Sequence, residues 1–216
     1  VQTNQTQCQY LHLTASDMTT EQIIEILGAI IGLTYIFLEY RASIYLWYAG
    51  IVMSLFYIYI FGSSHCYFWA GTYLYYLFAD IYGIFIWKKR KHQSESPYEG
   101  IKKFSLKLGI KITVICALLS GFLAIFAKKI IPDSPIPIGE AISTVLSIVA
   151  MWLLAHKYVE QWILWIIVNL FYTILNIQIG LYFTAILFGI YTIVATLGYL
   201  KWRKEMKQSV ETPHQL

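Results

Sequence analysis

Charge is what this sequence has least of. Asp, Glu, Lys and Arg make up 13% of its 216 residues, about half of the roughly 25% usual in a soluble domain. With 58% of the chain apolar and 17% aromatic, too few polar side chains remain to cover a folded unit in water, so lipid must cover part of it. Cysteine is scarce as well. Cys8, Cys66 and Cys116 are an odd number without repeated spacing, so neither a disulfide framework nor a metal cluster is expected, only cysteines at apolar sites. No Gly-x-x-x-x-Gly-Lys loop and no His-Glu-x-x-His pair occurs, which excludes those routes to ATP hydrolysis and zinc proteolysis. Strict alternation of apolar and polar residues is missing, which argues against a β-barrel. The stretch from Tyr182 to Leu200 has no lysine, so a retinal Schiff base in the last span is excluded. No convergent catalytic groups are found, so an enzyme is not expected, and nothing implies a cofactor, a metal or nucleic acid.

What is present is a series of long apolar stretches. A bilayer core needs roughly 20 apolar residues in a helix, and seven segments qualify. They run from about Glu21 to Tyr40, Ser43 to Phe61, His65 to Trp87, Phe104 to Ala127, Ile138 to Ala155, Gln161 to Ile177 and Leu181 to Trp202. A basic loop, Lys88 to Lys103, follows the third, and Pro132 to Pro137 breaks the chain after the fourth, since proline cannot continue a helix. The polar residues 1–20 carry no positive charge, unlike a cleavable leader, so the first span is expected to direct targeting. Charge orients the spans. The loops after the odd-numbered spans share one face, which takes 14 of the 16 Lys and Arg residues and leaves Lys128 and Lys129 for the other. The positive-inside rule then places the N-terminus outside and the C-terminus in the cytoplasm.

An internal repeat appears when the chain is slid against itself by 115 residues. Trp47 meets Trp162, Leu55-Phe56-Tyr57 meets Leu170-Phe171-Tyr172, Tyr67-Phe68 meets Tyr182-Phe183, Tyr76 meets Tyr191, Gly83 meets Gly198 and Trp87 meets Trp202. Twelve of the 43 positions from 47 to 89 are identical in this register. Glu25 and Glu140 also match; they open spans one and five near the outer face, where acidic residues suit the helix dipole, a gating role being the alternative. The repeat predicts an all-α membrane fold of two parallel three-helix bundles joined by a linking helix, three plus one plus three, as in SWEET-type transporters. The corresponding division is 1–20 polar segment, 21–88 first repeat, 89–103 basic loop, 104–137 linking helix and outer loop, 138–203 second repeat, and 204–216 cytoplasmic tail. Duplicated bundles without a soluble domain suggest transport about a central site; the plainer alternative is a scaffold or receptor that only packs helices.

Polar side chains inside a span are costly and call for a reason. Asn169 lies mid-span, and Trp162, Trp165, Asn169 and Tyr172 share one helical face. An amide beside two indoles and a phenol suits a neutral polar group attached to a flat or cationic ring, or else it joins two helices with the indoles as packing. The repeat predicts a partner face on span two, carrying Trp47, Gly50, Ser54 and Tyr57, with Ser54 in place of Asn169. Span three carries Trp69, Tyr73, Tyr76 and Asp80 on one face. Asp80 has three open roles: a ligand contact, an interface residue, or a bond to a neighbouring helix. Span seven offers Thr184, Phe188, Tyr191 and Thr192. The ligand site is therefore expected between spans two, three, six and seven.

The run Lys157-Tyr158-Val159-Glu160-Gln161-Trp162-Ile-Leu-Trp165-Ile-Ile-Val-Asn169, together with Asp80-Ile-Tyr-Gly83 before Trp87, resembles the PnuC family of bacterial nicotinamide riboside transporters. The resemblance spans about Glu21 to Trp202. It implies a SWEET-like protomer, a homotrimer in the bacterial inner membrane, and facilitated uptake of nicotinamide riboside with trapping by cytosolic phosphorylation. The related vitamins thiamine and riboflavin are the alternative substrates. A flat cationic nicotinamide suits the Trp and Tyr faces, and its carboxamide and ribose suit Asn169, Ser54 and Asp80.

Overall fold

The computed structural model describes residues 18–63, 65–91, 97–130 and 137–211, with side chains over 28–63, 65–89, 97–130 and 137–208. Seven helices follow one another: α1 (Met18–Tyr40), α2 (Tyr45–Ser63), α3 (Tyr67–Lys91), α4 (Leu106–Ile130), α5 (Pro137–Ala155), α6 (Gln161–Gln178) and α7 (Tyr182–Glu211). Five of them, α2 and α4 to α7, are long and apolar enough to cross a bilayer, and α1 adds the apolar stretch Gly28–Tyr40. The 25 residues of α3 have the length; its tyrosines and Asp80 make it less apolar than the rest. The expected spans and the helices agree closely except on the basic face. There α3 runs on to Lys91 and α7 to Glu211, so most of the stretch expected as a tail from residue 204 is helix. Lys, Arg, Glu and Met are good helix formers, and apolarity marks where lipid ends, not where a helix must.

The helices close into a ring. α2 pairs with α3 and α6 with α7; α1 packs on α2 and α7, while α5 packs on α6 and α3. Exchanging α1 with α5, α2 with α6 and α3 with α7 leaves this pattern unchanged. The linking helix α4 leans on α5, outside the ring, and turns Leu118, Phe122 and Ile125 outward, as suits a lipid-facing surface.

The 115-residue register is also written in the backbone. At the basic face α1 and α5 both end on a residue with left-handed backbone, Ala42 at φ 49° and Lys157 at φ 57°. The closing bonds match pair for pair. Ala42 N–H donates to Glu39 O (2.9 Å) and Ser43 N–H to Leu38 O (2.9 Å); Lys157 N–H donates to Leu154 O (2.9 Å) and Tyr158 N–H to Leu153 O (2.9 Å). Such a turn satisfies the last carbonyls of a helix. At the opposite face His65 (φ 60°) and Gly180 (φ 80°) play the same part, with Cys66 N–H to Phe61 O and Leu181 N–H to Asn176 O both at 2.8 Å. Cys66 itself is disulfide-bonded. This corrects the expectation of no such bond: a single bridge between distant cysteines leaves no spacing pattern to read.

Each helix pair is locked by one joint. Trp47 lies edge-on to Trp87 (centroids 5.5 Å apart, planes at 86°), and Trp162 to Trp202 (5.6 Å, 87°). Each indole rests on a glycine: a Cβ on Gly198 would stand 2.7 Å from the Trp162 ring, and one on Gly83 would meet the Trp47 ring as closely. These four indoles are buried with Leu46, Leu154, Ala155 and Val159 in one cluster, which fills the half of the ring nearest the basic face. Residues 97–104 cross that face as a strap. Lys102 N–H donates to Lys157 O and Val159 N–H to Lys102 O, both at 3.0 Å. The buried Lys157 ammonium donates to Pro97 O (2.8 Å) and Glu99 O (2.9 Å) and stands 4.8 Å from the centre of the Trp87 ring. The Phe104 N–H reaches Glu160 Oε1 (3.2 Å). The Lys157 to Glu160 part of the motif is thus a clamp between the α3–α4 loop and the α5–α6 turn.

The joint makes a direct prediction. Gly198→Val is expected to lower the stability of the detergent-solubilised protein by about 1–3 kcal/mol, the range for overpacking. Gly71→Ala, with no neighbour within 4 Å of the added carbon, is expected to be neutral or stabilising in the same thermal-unfolding measurement.

Candidate ligand site

Outward from the indole cluster, away from the basic face, the ring is lined by phenols. Tyr57 of α2 stacks on Tyr73 of α3 (4.7 Å, 22°), and Tyr73 stands edge-on to Tyr76 (5.5 Å, 88°). In the second bundle Tyr172 of α6 stacks on Phe188 of α7 (5.2 Å, 28°), and Phe188 stands edge-on to Tyr191 (5.8 Å, 86°). The two halves repeat this arrangement position for position. They also meet: Tyr73 lies within electrostatic reach of Tyr57 and Tyr76 in its own half and of Tyr172 and Tyr191 in the other. Five sequence candidates, Tyr57, Tyr73, Tyr76, Tyr172 and Tyr191, therefore converge between α2, α3, α6 and α7.

Small residues on α1 and α5 admit the phenols. The Tyr57 hydroxyl lies 2.8 Å from where a Cβ on Gly28 would stand, and the Tyr191 hydroxyl is closer still to that point on Gly32. The repeat mate of Gly32 is Ser147, and it is the Tyr76 hydroxyl that reaches it. Tyr172 comes within reach of Glu140, buried in the first turn of α5; its mate Glu25 lies outside the described side chains.

The polar candidates sit near the middle of their helices. Ser54 Oγ donates to Asp80 Oδ2 at 3.2 Å, and both residues are buried. The Asp80 carboxyl rests against Gly50, where a Cβ would strike it. Of the three roles open to Asp80, the structure shows the bond to a neighbouring helix. Asn169 is buried on α6, and its side-chain amide makes no hydrogen bond to a described residue. Trp165 stands half-buried one turn away, its Nε1 without a hydrogen-bond partner among the described residues. Trp47 and Trp162 do not join this group. They are fully buried in the joints described above, where helical periodicity cannot tell them from site residues on the same face.

The register exposes an exchange of volume. Gly50 and Asp80 of the first half correspond to Trp165 and Ala195 of the second. Where one half sets a carboxylate over a glycine, the other carries an indole and an alanine at the matching positions. One side of the site is thus acidic and the other aromatic.

Two buried polar residues to which the sequence reading gave no role, Glu39 and Gln161, lie near the half-buried Tyr35. Tyr35 donates its hydroxyl to the Met151 sulfur at 3.6 Å and lies within reach of Glu39, Asp80 and Tyr76. Glu39 was indistinguishable in sequence from a residue at the membrane interface, being next to the end of its span.

A seven-helix ring with a duplicated, aromatic and polar centre is the setting for comparison. The family model described as nicotinamide mononucleotide transporter matches residues 22–204. The chain belongs to the nicotinamide mononucleotide transporter family. Curated relatives in this family include the nicotinamide riboside transporter PnuC of Escherichia coli (strain K12), 26% identical over 203 residues, which cover 83% of this chain and 84% of that protein. The PnuC of Haemophilus influenzae is 24% identical over 194 residues, covering 88% and 84%. Among solved structures, that of the vitamin B3 transporter PnuC superposes with a TM-score of 0.68 at 18% identity, covering 94% of this chain and 87% of the other; the ring is a fold of this family.

The volume exchange can be tested by a double-mutant cycle. Gly50→Ala alone is expected to cost about 1–3 kcal/mol by crowding the carboxyl. In an Asp80→Ala background most of that cost should vanish. An equal cost in both backgrounds, measured by thermal unfolding, would mean that the carboxyl is not what Gly50 accommodates.

Proposed function

We propose that this protein carries nicotinamide riboside through the bacterial inner membrane by facilitated diffusion. The observation that carries this reading is the family match from residue 22 to 204, supported by relatives named for that substrate. The ligand is bound between the halves. Its nicotinamide ring lies against Trp165 and the tyrosines, its carboxamide meets Asn169, and its ribose meets Ser54 and Asp80. A cationic ring gains from indole and phenol faces in a site shielded from water, and an amide that both donates and accepts matches a carboxamide. The division into repeats at 21–88 and 138–203 makes the two bundles the moving bodies. The protein does no chemistry on its cargo, which is trapped by phosphorylation after release, and three copies assemble in the membrane.

In this reading the basic face is cytoplasmic, as the positive-inside rule requires. The disulfide at Cys66, on the opposite face, supports the same orientation, because such bonds persist in oxidising compartments and not in the cytosol.

Purified protein in liposomes is expected to speed entry of labelled nicotinamide riboside without ATP or an ion gradient. Absence of uptake above that of empty liposomes would reject the reading, and preferential uptake of thiamine or riboflavin would reassign the substrate. Asn169→Leu is expected to weaken binding by isothermal titration about tenfold or more, the effect of one lost buried hydrogen-bonding pair.

A further inference from the structure

The half of the ring nearest the basic face is filled by apolar side chains and indoles, yet one carboxylate is set into it. Glu39 is 2% exposed and Gln161 is 0% exposed. Glu39 of α1 faces Gln161 at the start of α6. Glu39 Oε1 and both amide atoms of Gln161 are sealed from solvent without a hydrogen-bond partner among the described residues. Buried polar atoms left in this state are costly, and a carboxylate more so.

Local structure does not supply the reason. Glu39 lies in the last turn of α1 (Met18–Tyr40), the negative end of the helix dipole, where a carboxylate is disfavoured. The amino end of α6 offers only about half an elementary charge in compensation. The basic side chains nearby face elsewhere. Arg41 is exposed with its guanidinium 5.7 Å from the Phe37 ring centre, and Lys201 places its ammonium 4.2 Å from Tyr40 and 4.8 Å from Tyr98. The groups within electrostatic reach are Gln161 and Tyr35, and Tyr35 is also within reach of Asp80. Among the described residues two carboxyl groups thus flank one phenol with no basic side chain between them. They step from the middle of the membrane toward the basic face.

We infer that Glu39 with Gln161 forms a second ligand station, set deeper than the tyrosine cluster, which takes the positively charged ring of an organic cation as the apolar plug opens. The inference rests on the transport reading above and adds to it a determinant of charge selectivity. At the outer site the cationic ring is held by π faces and an amide. At the station the Glu39 carboxyl, dry and without a cation until then, pairs with the positive charge of the ring, and the amide of Gln161 accepts or donates to its polar substituents. A neutral ligand of the same shape gains nothing from the carboxylate.

The test compares liposome uptake of cationic nicotinamide riboside with that of its neutral reduced form, the dihydropyridine riboside. In Glu39→Gln, an isosteric change, the ratio of the two rates is expected to fall about tenfold. Equilibrium binding of the cationic ligand in detergent should stay within about twofold. Gln161→Glu, which adds a carboxylate at the same place, is expected to raise the ratio. An unchanged ratio in both variants, or both ligands slowed alike, would overturn the station while leaving the transport reading in place. Failure of the unaltered protein to carry either ligand would overturn both.

Discussion

An indole laid flat on a glycine backbone is the contact on which this architecture depends. Within a bilayer there is no hydrophobic drive to bring two helices together, so association relies on close van der Waals packing and on aromatic geometry. At Gly83 and Gly198 the missing side chain lets α3 and α7 come up against the rings of Trp47 and Trp162. A second indole, turned edge-on, fixes the angle. Two rigid helix pairs result. α1 and α5 then close the ring by packing across from one pair to the other, which is why the same two helices carry the small residues, Gly28, Gly32 and Ser147, that receive tyrosines from both sides.

Over this symmetric frame the polar and bulky residues near the centre are exchanged between the halves, and the proposed ligand contacts fall at those exchanges. Ser54 stands for Asn169, and Gly50 with Asp80 stands for Trp165 with Ala195. The stacked and edge-on pairs of the tyrosine layer hold nearly the same distances and angles in both halves. In the proposed transport reading, conserved geometry with exchanged polarity presents an acidic wall and an aromatic wall to the same small molecule. The strap over the basic face is a further asymmetry, since residues 97–104 bind the α5–α6 turn through Lys157 and Glu160.

The helices, their order and the duplication were legible because long apolar stretches and a constant register of Trp, Tyr and Gly are properties of sequence alone. The converging tyrosines were legible too, since each falls on a face fixed by helical spacing. Depth along a face was not. Trp162 and Trp165 lie three residues apart on one side of α6, yet one is sealed in the plug and the other borders the site; only the partner helix decides which. Glu39 was missed for a related reason. One residue from the end of its span it resembles an interfacial carboxylate, and nothing in the sequence says that α6 covers it. The Lys157–Glu160 stretch, which carried the family resemblance beside the candidate site residues, proves to serve the clamp between the loop and the turn.

The exchange between Gly50–Asp80 and Trp165–Ala195 bears on how such a protein could arise. A pair of identical three-helix chains would offer two carboxylates and no indole, or two indoles and no carboxylate. Either assembly would hold a lopsided molecule equally well in two opposed orientations. Fusing the halves through α4 allowed each copy to specialise, and the cost of every enlarged side chain could be met by a reduced one at its neighbour. The proposed cargo, with one charged ring and one sugar, then has a single way to lie. In that reading the head-to-tail sense of the ligand follows from the order in which the two halves are joined.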